Sequence, residues 1–208
     1  MEVYFVRHGQ TGGNEAQRHQ AEESHLTPLG KQQAQYAAEQ ISPLQPTQVW
    51  VSDRVRAIET AQIITEATGV TSNINPVFTE LCRPGRIYGH HHKSLQSLWY
   101  IYQWYRGKVG EEGCSPAGES YDHFFRRVKE AQRFLESQPA DARVVVVSHS
   151  IFINFFLAHL YNDKPLNSFR AALIFAKIFR IKNGCVIRLQ YEAESGKGKM
   201  WRELTRSA

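Results

Sequence analysis

Residues 143–148, RVVVVS, constrain the fold more than any other stretch of the chain. Four consecutive valines carry strong β-propensity. No polar residue alternates with them, so the strand they form must be covered on both faces. That pattern belongs to a central strand of a parallel sheet packed between helices. Strand-like and helix-like stretches alternate through the rest of the chain, which predicts the α/β class: a three-layer α/β/α sandwich with a mainly parallel sheet.

The other elements follow from local signals. Residues 2–7 read as the first strand. Thr27-Pro28 reads as an N-cap and first helical position, ahead of Ala34, Ala37, Ala38 and Ile41 on one helix face. QVWV, 48–51, is a short apolar strand. Ser52-Asp53 then caps a helix that carries Ala57, Ala61 and Ile64 on one face and stops at Gly69. Residues 76–79 read as a third strand. Leu95, Leu98, Trp99, Tyr102 and Tyr105 fall at helical spacing and are expected to pack in the core. Residues 107–118, rich in Gly, Glu and Pro, read as a loop. The next helix starts near Glu119-Ser120, with Tyr121, Phe125, Val128 and Leu135 on its inner side. A nearly all-apolar helix, 150–161, follows RVVVVS directly. Stretches 172–181 and 185–191 flank Lys182-Asn183-Gly184, and Asn-Gly between strands predicts an antiparallel hairpin at the sheet edge. A length of 208 residues fits one domain, 1–208, able to bury a core without metal or disulfides.

Composition narrows the function classes. Cys82, Cys114 and Cys185 form an odd, scattered set with no CxxC or metal-type spacing. This suits a reduced, cytoplasmic protein better than a secreted disulfide scaffold. Neither a signal-peptide core nor an apolar run of membrane-spanning length is read. The formal net charge of +5 comes from dispersed basic residues, with 197–206 as the one candidate basic tail. Nucleic-acid binding is one use of that excess, against which the dispersal counts, and steering of an anionic small molecule is the other; composition alone does not separate them.

In open α/β sheets ligands bind beyond the carboxyl ends of the strands. Here those ends carry Arg7-His8, then Ser52-Asp53-Arg54 with Arg56 just behind, and Ser148-His149-Ser150. The stretch 76–79 runs into Glu80. In a parallel sheet these ends share one rim. Guanidinium groups there would grip phosphate oxygens by paired, charge-assisted hydrogen bonds, and helix starts would add N–H groups. An imidazole can attack phosphorus, and a carboxylic acid can protonate the departing oxygen. These residues alone leave open which histidine attacks. Arg54 reads as a rim or solvent residue, with a phosphate contact as the alternative. His90-His91-His92 reads as a loop lining the entrance, because consecutive residues rarely chelate one ion and no partner ligand has suitable spacing.

The chain resembles the histidine phosphatase superfamily, the phosphoglycerate-mutase-like group, in RHGQTGGN (7–14), LTPLGKQQA (26–34), SDRVRAIETA (52–61), TELCRPGRIYG (79–89), PAGESYDHFFRRV (116–128) and VVVVSHS (144–150). The motifs keep the family's order over about residues 3–155. The resemblance implies that His8 is the nucleophile and becomes phosphohistidine. It implies that Arg7, Arg56, Asn14 and Ser150 bind the phosphoryl oxygens together with His149. Glu80 would be the acid and then the base. No cofactor or metal is implied. The substrate would be a small phosphomonoester or a phosphoprotein. Ser150 stands where the family usually has glycine, and Gln10 and Gly13 replace a frequent glutamate and tryptophan. Gln10, Arg83 and Arg86 are the residues assigned to substrate specificity. The stretch around 83–118 falls where the family inserts a variable helical cap, so a partly exposed aromatic lid is the alternative to core for the 94–106 helix. The phosphatase branch is the expected one, since family mutases tend to be longer. A mutase, an inactive phospho-ligand binding module and a nucleic-acid binder are the rivals.

Overall fold

The computed structural model describes residues 1–114, 116–161, 164–166, 181–192 and 200–207. In chain order the elements are β1 (Glu2–Arg7), α1 (Gly12–Glu15), α2 (Pro28–Ile41), β2 (Gln48–Val51), α3 (Val55–Thr68), β3 (Ser72–Ile74), α4 (Leu95–Tyr105), α5 (Tyr121–Glu136), β4 (Arg143–Ser148), α6 (Ser150–His159), β5 (Val186–Glu192) and β6 (Met200–Arg206). The six-stranded sheet runs β3-β2-β4-β1-β5-β6. The first four strands in that order pair in parallel, and β5 and β6 are antiparallel.

The four valines of β4 account for the layering. Val145 and Val147 pack with Tyr4 and Val6 of β1 against Ala37, Ala38 and Ile41 of α2 and Ala57, Ala61 and Ile64 of α3. Val144 and Val146 pack on the opposite face with Val3 and Phe5, against Phe124, Val128 and Leu135 of α5 and the phenylalanines of α6. Alternate side chains of a pleated strand point to opposite faces, so an unbroken apolar run fills two cores at once. Alanines on α2 and α3 let those helices lie close to each other and to the sheet. Thr27 caps α2, its Oγ1 accepting from Gly30 N at 3.0 Å, with Pro28 at the first position. Gly69 ends α3 at φ 73°, a left-handed conformation that favours glycine.

Several expectations need correction. Ser52-Asp53 does not cap α3: its N-cap is Arg54, which makes no side-chain cap bond, and Asp53 Oδ1 accepts from Thr79 Oγ1 at 2.6 Å. The third strand is β3, not 76–79. Pro76–Phe78 forms a 3-10 turn, with Asn75 Oδ1 accepting from Val77 N at 3.1 Å. Pro76 suits the first position of such a turn, while Val77 and Phe78 enter the core and mimic a strand in sequence. On α5 the core residue is Phe124 rather than Phe125, which is half-buried. Helix α4 buries Tyr100 and Trp104 and exposes Leu95, Leu98, Trp99 and Tyr102, so most of the expected core stripe faces outward. Trp104 anchors the opposite face by donating from Nε1 to Glu119 O at 2.8 Å.

The antiparallel edge pair is β5 with β6; residues 172–180, expected as its first strand, lie outside the described residues. Part of the supposed basic tail, 200–206, is β6 itself. Cys82 and Cys114 are joined in a disulfide with Cα atoms 5.3 Å apart, overturning the reading of an unpaired reduced set; Cys185 is a buried thiol. Closing a loop across 32 residues stabilises the fold by about 3–4 kcal/mol in the chain-entropy model. Among the described residues no helix is long and apolar enough to cross a membrane.

The Phe124/Phe125 distinction is measurable. Phe124 is fully buried among Trp104, Phe152 and Phe155. Phe124→Ala is expected to cost about 3–5 kcal/mol, and Phe125→Ala clearly less, in urea denaturation of the two variants.

Candidate active site

Strands β1 and β4 run in parallel register with Arg7 opposite Ser148. The chain therefore leaves both strands at the same rim, and His8 N donates to Ser148 O at 3.0 Å. The next side chains are His8 and His149, whose ring centroids lie 5.0 Å apart at an interplanar angle of 57°. Both are buried. Nδ1 of His8 donates to Gly9 O at 2.7 Å, which leaves the lone pair of the neutral ring on Nε2.

The loop after His8 is held where only glycine fits. A Cβ on Gly9 would stand 2.1 Å from Gly30 O, and one on Gly30 would stand 2.1 Å from Gln10 O. The β1 exit thus lies against the first turn of α2, and Thr60 Oγ1 accepts from Gly9 N at 3.1 Å. Asn14 belongs to the capping box of α1. Asn183 links it to the loop after β1, its Nδ2 donating to His8 O at 2.9 Å and to Asn14 Oδ1 at 3.1 Å.

A cavity of about 500 Å³ opens on this rim, and Arg7, His8, Asn14, Arg56, Glu80 and Ser150 stand in its wall. Arg18, Arg83 and Lys93 add positive charge to the same wall. His149 is fully buried against His8, its Nε2 2.7 Å from Ser52 Oγ. Of the remaining expected site residues, Gln10 stands outside the wall, its Oε1 accepting from Thr27 Oγ1 at 3.0 Å. Arg86 is exposed on a 3-10 turn and is also outside the wall. None of the α4 aromatics lines this cavity.

Burial sets the charge states. It pushes His8 well below the usual 6.5, reinforced by the Arg56 and Arg7 guanidiniums. His149 moves the same way, by burial first and then by Arg56, His8, Arg54 and Arg7. Burial lowers Arg7 and Arg56 each to about 10, against the pull of Glu80, so both remain cations at neutral pH. Two neutral imidazoles thus stand beside two desolvated cations. Among the described residues Nε of Arg7, Arg56 and Arg83 and Nδ1 of His149 are buried without a hydrogen-bond partner. Buried polar groups are ordinarily satisfied. Guanidinium forks in this state match the oxygens of a tetrahedral anion.

The carboxylate of Glu80 accepts from Leu81 N at 2.9 Å, Ile151 N at 3.2 Å and Phe152 N at 3.1 Å. The N-cap of α6, His149, makes no side-chain cap bond. Glu80 supplies that cap from another segment, and its charge suits the positive end of the helix.

Asn183, Arg18 and Lys93 are wall residues that the sequence reading missed. Asn183 was absorbed by its turn signal, Lys182-Asn183-Gly184. His92 does stand at the cavity, edge-on to His19 at 4.5 Å, and burial with Arg83 nearby lowers it to about 4. Arg54, expected at a solvated rim, is buried and pairs with Glu22 at 2.5 Å.

Fold and rim together define a class: α/β proteins that present histidine and arginine at the carboxyl edge of a parallel sheet. The family model of the histidine phosphatase superfamily (branch 1) matches residues 3–203, and the chain belongs to that family. Curated relatives named "Probable phosphoglycerate mutase GpmB" include the protein of Erwinia tasmaniensis, 29% identical over 205 residues (97% of this chain, 90% of the relative). That of Enterobacter sp. is 30% identical over 204 residues, with coverage of 97% and 90%. Among solved structures, a mycobacterial glucosyl-3-phosphoglycerate phosphatase in complex with VO3 superposes with a TM-score of 0.71 at 24% identity, covering 97% of this chain and 96% of that one. A variant phosphoserine phosphatase from Entamoeba histolytica, in complex with phosphoserine, gives 0.72 at 21% identity, with coverage of 99% and 95%. At these identities the structural likeness establishes the fold.

The neutral histidines give stability a pH signature. His8 and His149 are unprotonated when folded and take up protons near pH 6.5 when unfolded. Their contribution is complete above pH 6.5 and is lost as pH falls below it, by about 1.4 kcal/mol per pH unit for each ring. Urea midpoints measured from pH 7.5 down to 5 are expected to fall accordingly, and His149→Asn to remove about one proton's share of the slope.

Proposed function

We propose that this chain is a phosphomonoester hydrolase working through a phosphohistidine on His8. One observation carries the reading: a neutral His8, its Nδ1 proton committed to Gly9 O, shares a cavity with the Arg7 and Arg56 guanidiniums. Nε2 of His8 attacks phosphorus, the P–O bond breaks, and its electron pair leaves on the ester oxygen. The acid form of Glu80 delivers the proton to that oxygen. Water then attacks the phosphohistidine, Glu80 takes its proton, and the P–N electrons return to Nε2. Arg7 and Arg56 hold the phosphoryl oxygens in both steps, joined by Asn14 and Ser150 from the same wall. With Ser52 Oγ–H donating to Nε2, His149 offers Nδ1–H to a phosphoryl oxygen. Positioning and charge stabilisation account for most of catalysis in such transfers.

The names of the sequence relatives favour a second reading, in which the phosphoryl group passes to another hydroxyl of the substrate rather than to water. The two differ in product. From 3-phosphoglycerate with a bisphosphoglycerate, the hydrolase is expected to release inorganic phosphate faster than isomer forms. The reverse ratio favours the mutase.

His8→Ala is expected to lose turnover of p-nitrophenyl phosphate on the order of 10³-fold or more while its melting curve stays cooperative. The parent enzyme, quenched during turnover, is expected to carry an acid-labile phosphoryl group on His8. Parental rates in His8→Ala would refute the assignment.

The outer cations bear on selectivity. Arg83 stands in the wall with its Nε unpartnered, beside Lys93 and Arg18. A charge-assisted contact to a second anionic group on the substrate is worth about 1.5–3 kcal/mol. Arg83→Gln is therefore expected to raise KM about tenfold or more for carboxylate-bearing phosphomonoesters, and to leave that for p-nitrophenyl phosphate nearly unchanged. Steady-state kinetics on the two substrates check this.

A further inference from the structure

The backbone that carries Glu80 is tied down by a buried ion pair outside the cavity wall. Arg127 of α5 spends all five of its N–H donors on two partners: the acid loop and Glu119. Nη1 donates to Val77 O at 3.1 Å and to Thr79 O at 2.6 Å, and Nη2 donates to Glu80 O at 3.4 Å. Nε and Nη2 fork onto Glu119 Oε1 and Oε2 at 2.9 and 2.7 Å. Glu119, fully buried just before α5, holds the other end of the loop: its Oε2 accepts from Cys82 N at 3.4 Å, and its own N–H donates to Cys82 O at 2.8 Å. The Arg127 guanidinium lies over the rings of Phe124 and Phe152, at 5.0 and 5.7 Å. It therefore has no room to re-aim.

A buried ion pair contributes little net stability over a well-packed apolar pair of the same volume. What this one does provide is geometry. The peptide carbonyls before and at Glu80 are clamped to α5, while the Glu80 carboxylate rests on the amides that open α6. We propose that Arg127, held by Glu119, is a positioning residue that aims Glu80 at the leaving-group oxygen. The inference rests on the reading of Glu80 as proton donor.

The leaving group separates this role from a merely structural one. An alkyl oxygen needs the proton of Glu80 to depart, whereas p-nitrophenolate leaves without it. The measurement is kcat/KM, which reports the phosphorylation step, on glycerol phosphate and on p-nitrophenyl phosphate. Arg127→Lys keeps the charge beside Glu119 and loses the fork. It is expected to lose about 10- to 100-fold on the alkyl ester and to lose little on the aryl ester. Glu80→Gln is expected to show the same selectivity, and Glu80→Gln/Arg127→Lys to lose no more than Glu80→Gln alone. Glu119→Gln/Arg127→Met, which removes both charges, should repeat the pattern if Arg127→Lys does not fold. Equal loss on both esters, or additive losses in the combined variant, would overturn the positioning role while the reading of Glu80 stands. Loss of selectivity in Glu80→Gln itself would overturn both.

Discussion

The parallel pairing of β1 with β4 is the constraint on which the rest of the molecule depends. Its register sets Arg7 opposite Ser148, so the residues that follow the two strands, His8 and His149, emerge side by side although most of the chain separates them. A slip of one residue in this pairing would turn every valine of β4 to the wrong face. The same two cores that stabilise the sheet thus set where the imidazole pair emerges, and polar contacts of the rim, among them those that hold Glu80 and the loop after β1, fix the rest.

That packing also sets the electrostatics. Exclusion of water keeps both rings neutral and leaves Arg7 and Arg56 as costly, poorly solvated cations. In an effective dielectric well below that of water, such cations bind an anion more strongly than exposed ones do. Arg56 adds a further bias. It lies in the first turn of α3, whose N-cap Arg54 offers no side-chain bond, so the positive end of the helix faces a positive residue. On the proposed reading, an arriving oxyanion relieves both.

The sequence made legible what periodicity and short motifs encode. The two-faced strand at 143–148, the alanine faces of α2 and α3, and the rim residues Arg7, His8, Arg56 and His149 lie in regular elements or directly at their ends, where spacing determines place, while Glu80 lies in the loop after the 3-10 turn Pro76–Phe78. What stayed hidden depends on contacts between segments. Cys82 and Cys114 meet because two loops cross, a juxtaposition no local spacing announces. The stripe on α4 has helical period but does not say which face docks; Trp104 decides it through a bond to Glu119. Val77 and Phe78 are apolar enough for a strand, yet Pro76 makes a turn of them. Arg127 falls at helical spacing from Phe124 and Ala131 on the inner face of α5, but its charge reads as solvated until Glu119 and the acid loop are placed against it.

Glu80 shows how one residue can serve both stability and the proposed chemistry. In the free protein its carboxylate lies near Arg7 and Arg56 and caps α6, balancing charges that burial would otherwise leave exposed to each other. On the proposed reading, a phosphoryl dianion entering the cavity takes over as counterion to the same arginines. The Glu80 carboxylate, seated on the amides that open α6 with its backbone clamped to α5, then keeps its place beside the bound group rather than following the arginines.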